Sequence, residues 1–289
     1  MLGTLEQAVM IHDILVHIPT ERLVRPVVDA SVSLAAEFEA HLDAVAIGYV
    51  SASRAYVMDG GAAAVVASVF EMERERATQR AASALEVFGV EARTAGISYQ
   101  SHSRAELPGD AAAAIGATAR LYDLAVVLQP DADQDTFDNT IPREVLFQAG
   151  GPVLFVPHIF RGGFRAKRIG ICWDGSRLAA RALRDAQPFF EKADALVAIS
   201  INGVDSVPAD ASSVKLAKHL ARAQLPAKLI DLRAARSEIQ PSILSIAADE
   251  NLDMLVMGAY GHSRLQEGIL GGVSREMLNT MTVPTLMSH

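Results

Sequence analysis

Leu252-Asp253-Met254-Leu255-Val256-Met257-Gly258-Ala259-Tyr260-Gly261, resumed after His262–Leu270 as Gly271-Gly272-Val273-Ser274-Arg275-Glu276, is the stretch whose reading decides the fold. The apolar run at Met254–Met257, stopped by glycine, reads as a strand buried on both faces, as parallel sheets require. Glycines in the loop let a ligand come close to the main chain. The second glycine pair opens a helix, whose outward N–H groups and positive dipole end favour an anion, typically a phosphate.

Working outward, the same alternation fills the second half. Arg168–Trp173, Ala195–Ile201, Lys228–Leu232, Met254–Met257 and Val283–Met287 read as strands; Ser176–Phe190, Ser212–Ala223, Pro241–Glu250 and Gly272–Thr280 read as helices. The first half repeats the layout. Strands are expected at Ile14–Ile18, Ala44–Val50, Glu91–Ile97, Leu124–Leu128 and Val153–Val156, with helices over Val24–His41, Ala62–Phe88, Pro108–Tyr122 and Pro142–Gln148. Short apolar strands alternating with longer helices predict an α/β fold. Two tandem doubly wound, Rossmann-like domains follow, each with a mostly parallel five-stranded sheet.

The halves also match in sequence. Ile141-Pro142-Arg143-Glu144-Val145-Leu146 parallels Val273-Ser274-Arg275-Glu276-Met277-Leu278, and Asp123-Leu124-Ala125-Val126-Val127 parallels Asp253-Met254-Leu255-Val256-Met257. Gly151-Pro152-Val153-Leu154 likewise parallels Val283-Pro284-Thr285-Leu286. The expectation is a duplicated domain, residues 1–157 and 167–289, joined by a linker at 158–166 that carries Gly162-Gly163 between two arginines.

Composition limits the function classes. Of 289 residues, 50% are hydrophobic and 21% charged, enough for two cores. A net charge of −8 argues against nucleic acid as partner, though a local nest of N–H groups still binds phosphate on an acidic protein. The single cysteine, Cys172, rules out an internal disulfide and sits in an apolar run, which suits a small core residue. No apolar run approaches the roughly 18 residues of a membrane helix, and the start lacks a secretory pattern. A cytoplasmic protein with no membrane partner is expected.

The second half closely resembles the universal stress protein family. Gly258, Gly261 and Gly271 stand at the spacing of that family's G-x2-G-x9-G-[ST] loop. Asp174-Gly175-Ser176 is similar to its turn after the first strand, and Val283-Pro284-Thr285-Leu286 to its proline-led last strand. The whole chain resembles a tandem member. The resemblance implies a stress-response protein that binds an adenine nucleotide (ATP, ADP or AMP, with or without magnesium) in its C-terminal domain as a regulatory switch. Asp174 would then hold the ribose or the adenine edge, and Ile201 or its neighbour Ile199 would flank the base. Gly258, Gly261 and Gly271 would admit the phosphates, and Ser274 would add a hydroxyl. Met257, Gly272 and Val273 complete the implied set.

Two departures stand out. The family's Ser or Thr after the third glycine is Gly272 here, which removes a hydroxyl worth on the order of 1 kcal/mol. Trp173 is bulky beside Asp174, and the sequence leaves open whether it stacks on a base or fills the pocket. In the first half Gln129-Pro130-Asp131-Ala132-Asp133-Gln134-Asp135 replaces the glycines, and its aspartates, with Asp138, would repel phosphate. That half is expected to serve a structural role. The same aspartates lack the glycine and the final glutamate of a calcium loop, with Thr136 and Pro142 in those places.

No catalytic constellation is present: G-x-S-x-G, the P-loop and the dinucleotide G-x-G-x-x-G are all missing. The resemblance leaves weak ATPase activity open. The competing reading is an interaction and dimerisation module that binds no nucleotide. Pairing through the last strand, known in the family, would give a pseudo-dimer within the chain and allow a further homodimer.

Overall fold

The computed structural model describes residues 10–50, 63–203, 207–259 and 272–289. Two compact units form, Asp13–Phe164 and Arg165–His289. In chain order the first contains β1 (Asp13–Ile18), α1 (Arg25–Phe38), β2 (His41–Tyr49), α2 (Ala63–Ala95), β3 (Tyr99–Glu106), α3 (Pro108–Thr118), β4 (Leu124–Leu128), α4 (Ile141–Gln148) and β5 (Val153–Val156). Its strands lie in the order β3-β2-β1-β4-β5, all parallel.

The second unit contains β6 (Arg168–Cys172), α5 (Arg177–Asp185), the short α6 (Gln187–Phe190), β7 (Ala195–Ile201) and α7 (Ser213–Arg222). It continues with β8 (Ala227–Leu232), α8 (Ile239–Asp249), β9 (Met254–Gly258), α9 (Val273–Thr280) and β10 (Thr285–Ser288). The order β10-β9-β6-β7-β8, again all parallel, is the same winding.

The central strands are continuous apolar runs because helices cover both faces. Every residue of β4 and β5 is buried, and Ile169, Gly170 and Ile171 form the buried centre of β6. The duplicated Asp-Leu and Asp-Met pairs have one shared task. The Asp123 carboxylate accepts from the Asp13 N–H at 3.1 Å, while Asp253 accepts from the N–H groups of Lys167 and Arg168 at 3.1 and 3.0 Å. Each aspartate pins the start of its unit's first strand to the neighbouring strand.

One expectation fails. Glu91–Ile97 is not a strand: α2 runs through it to Ala95 and is stopped by Gly96 at φ +67. The Gly96 and Ile97 N–H groups bond back to Arg93 and Ala92, closing the helix end. The strand is Tyr99–Glu106, whose outward face is almost wholly polar and exposed. It is the edge strand, held to β2 by main-chain bonds along its length, and an edge needs no apolar run. Among the described residues no helix is long and apolar enough to cross a membrane.

Candidate functional site

In each unit the chain winds one way from the first strand and then crosses to the other side of it. The switch in strand order therefore falls between β6 and β9 in the second unit, and ligands of open α/β sheets bind beyond the carboxyl ends at such a switch. Cys172, at the end of β6, pairs with Met257, so Trp173-Asp174 and Gly258-Ala259 follow from adjacent strands.

Asp174 is exposed. Its Oδ1 accepts from the Ser176 N–H at 2.9 Å, forming an Asx turn, and Ser176 Oγ accepts from the Ala179 N–H at 3.1 Å, capping α5. The turn uses one carboxylate oxygen and leaves the other for a hydroxyl donor. Gly175 sits at φ +70, where an L side chain is strained. Cys172 is partly accessible as a residue, yet its sulfur is enclosed. Burial, with the Asp174 charge adding, pushes the thiol up to about 12, which keeps it protonated at neutral pH.

Gly258 has a role the sequence did not reveal. A Cβ there would lie 2.5 Å from the Ala179 nitrogen and 2.5 Å from the Leu178 carbonyl carbon. The glycine lets the first turn of α5 rest directly on β9. Gly272, by contrast, is exposed at the start of α9, at φ −116, and among the described residues a Cβ there would meet nothing within 4 Å. Val273 and Ser274 open the first turn, in which the Arg275 and Glu276 N–H groups donate to the Gly272 carbonyl at 2.9 and 3.2 Å. Met257 is buried within β9, Ile199 lies in the core and Ile201 is half-buried at the end of β7. Gly261 and Gly271 lie outside the described residues.

The matching switch in the first unit, between β1 and β4, is occupied by the protein's own side chains. The buried Asp138, in the turn leading into α4, accepts from the Thr20 and Glu21 N–H groups at 3.0 and 2.8 Å. Its other oxygen accepts from the Tyr49 hydroxyl at 2.8 Å. Arg22 donates to the Gln129 carbonyl at 2.6 Å and to Asn139 Oδ1 at 3.3 Å, with Asp131 at 3.8 Å from its guanidinium. Glu21 accepts from the Phe137 N–H at 2.8 Å. The loop beyond β1 and the loop beyond β4 are thus tied together through carboxylates. Burial raises the Tyr49 hydroxyl well above its ordinary range, and Asp138 adds to the effect.

His17 is buried on β1, with Nε2 3.9 Å from Asp138 Oδ1 and without a hydrogen-bond partner. Burial lowers its pKa below the ordinary 6.5, only partly offset by Asp138. Below pH 6.5 the unfolded chain therefore binds a proton that the folded chain refuses. The stability from neutral His17 is complete above that pH and is lost as pH falls, by at most about 1.4 kcal/mol per pH unit. The melting temperature of the first unit should fall between pH 7.5 and 5.5. His17→Leu, measured by calorimetry at both pH values, should flatten that slope.

Comparison with known proteins follows this geometry. Residues 165–289 match the sequence profile of the Universal stress protein family. A universal stress protein from Archaeoglobus fulgidus DSM 4304 has a similar structure, with TM-score 0.66 and 14% identity over 95% of each chain. A functionally unknown protein from Pseudomonas aeruginosa PAO1 gives TM-score 0.61 at 17% identity, over 96% of this chain and 92% of that one. A putative universal stress protein from Pseudomonas aeruginosa UCBPP-PA14 gives 0.60 at 16% identity, over 96% and 93%. At such identities these likenesses show a shared fold along the chain. No curated protein matches the sequence.

Proposed function

We propose, from the membership of residues 165–289 in the universal stress protein family, that the second unit binds an adenine nucleotide beyond β6 and β9 and acts as a nucleotide-dependent switch. The observation that carries this reading is the pairing of an exposed Asp174 carboxylate on one side of the switch in strand order with a Gly272 on the other that, among the described residues, has no neighbour within reach of an added Cβ. Asp174 keeps one oxygen for ribose hydroxyls, and the start of α9 would offer a phosphate the positive end of the helix dipole. Ile201, half-buried at the end of β7, offers an apolar flank for a base. A switch requires the two nucleotide states to differ in affinity or in contacts made, and the phosphate end is where ATP, ADP and AMP differ.

The first unit is assigned a structural role. Its switch in strand order is tied shut by Asp138, Arg22 and Glu21.

Isothermal titration with ATP, ADP and AMP tests the reading, with saturable binding of one nucleotide per chain as the expected result. Gly272→Ser should tighten ATP binding several-fold, since a hydroxyl at the open helix start adds one hydrogen bond of about 1 kcal/mol. Stability should change by only a few tenths of a kcal/mol, the difference between Gly and Ser as N-cap. Absence of binding heat at millimolar ATP, in the wild type and in this variant, overturns the proposal and leaves the interaction module standing.

A further inference from the structure

Trp173 is the only tryptophan of the chain, and it stands directly before Asp174. Its main-chain N–H donates to the Ile199 carbonyl at 2.8 Å, carrying the β6–β7 ladder one residue past the end of β6. The half-buried indole reaches sideways, and Nε1–H donates to the Ala211 carbonyl at 2.7 Å. Ala211 closes a short turn in which its own N–H donates to Pro208 at 2.8 Å. On the other side of Asp174, a Cβ added at Gly175 would run into Val207 and would come within 3.3 Å of the Ala211 side chain. The segment from Val207 to Ala211 therefore leans on the turn at Trp173–Gly175 at two points that bracket Asp174.

We infer that Trp173 is a positioning residue for the base and ribose end of the ligand: its indole hydrogen bond holds Val207–Ala211 as the β7-side wall of the crevice that Asp174 enters. This rests on the nucleotide reading proposed above. The ring neither stacks freely nor merely fills space, because an N–H bond at 2.7 Å to a main-chain carbonyl fixes its direction. The phosphate end, at Gly272–Ser274, belongs to a different strand and helix and does not depend on this wall.

The contrast between ATP and inorganic tripolyphosphate tests the inference. Trp173→Phe keeps an aromatic ring and removes the N–H; Val207→Ala loosens the second point of contact without touching the indole. Both variants should release ATP faster and bind it several-fold more weakly, Trp173→Phe more so, with tripolyphosphate affinity unchanged in each. In the wild type the Trp173 fluorescence should shift on saturation with ATP and stay constant with tripolyphosphate. The inference is overturned if both variants release ATP at the wild-type rate, if ATP and tripolyphosphate weaken together, or if ATP saturates the protein without a fluorescence change. Failure of the wild type to bind ATP at all would instead remove the nucleotide reading, and this inference with it.

Discussion

Gly258→Ala should lower the melting temperature of the ligand-free second unit by about 10 °C. The added methyl would sit 2.5 Å from the Ala179 nitrogen and the Leu178 carbonyl carbon, both main-chain atoms that no rotamer change can move aside. Either the first turn of α5 lifts from β9 or the strand bends. Overpacking of this kind costs about 1–3 kcal/mol. The displaced nitrogen is also the one that donates to Ser176 Oγ, so loss of that cap adds about 1 kcal/mol. The variant separates two reasons for having glycine at this position. If Gly258 served only to let a phosphate approach, the ligand-free protein would keep its melting temperature and lose nucleotide affinity alone. The packing account requires the loss of stability without any ligand present, read by calorimetry on the apo protein. Affinity should fall as well, since the Asp174 turn feeds directly into the displaced helix.

The contrast between what the sequence disclosed and what it hid has a physical cause in each case. β4 was legible because a strand covered on both faces must be apolar throughout, and Leu124–Leu128 is. β3 was not, because an edge strand is specified by main-chain pairing and none of its residues is fully buried, Gln100–Ser103 being exposed. The apolar residues of Glu91–Ile97, Ala92, Ala95 and Ile97, instead belong to the last turns of α2 and the residues that close it. At the site, the Asp174-Gly175-Ser176 turn was readable because all its hydrogen bonds are local. The packing of Gly258 on Leu178–Ala179 was not, since it joins residues far apart in sequence. The aspartates of the first unit were read as repelling phosphate. Asp131 instead ties its own loop together, accepting from the Asp133 N–H at 3.1 Å and from Gln134 at 2.5 Å, and its carboxyl is held below the usual range: burial pushes it up, but these hydrogen bonds and Arg22 outweigh that. Asp138 reaches across to Thr20, Glu21 and Tyr49, partners that only the folded sheet brings near.

Asp138→Ala should be the most damaging single change in the first unit, with an expected loss of about 4 kcal/mol, within the range for breaking a buried charged network. The carboxylate, itself buried, is the acceptor for two partly buried main-chain N–H groups and the buried Tyr49 phenol. An alanine leaves three donors without partners, each costing about 1–3 kcal/mol when sequestered from water. The loop beyond β1 would then be held to the turn before α4 chiefly by Glu21 and Arg22. Two further variants identify the cause. Asp138→Asn preserves shape and an acceptor oxygen for the two main-chain N–H groups, and its NH₂ can donate to the Tyr49 phenol oxygen, so only the charge-assisted share of the bonds is lost and the cost should be about half as much. Tyr49→Phe removes one donor together with its need for a partner and should cost only about 1 kcal/mol. In the double variant Asp138→Ala/Tyr49→Phe the total loss should be smaller than the sum, because the phenol no longer suffers from the missing acceptor. Differential calorimetry should show the transition of the first unit shifted down while ATP binding by the second unit persists. A first-unit transition that stays in place in Asp138→Ala would mean that these bonds only replace equivalent bonds to water, and the closed crevice of that unit would need another explanation.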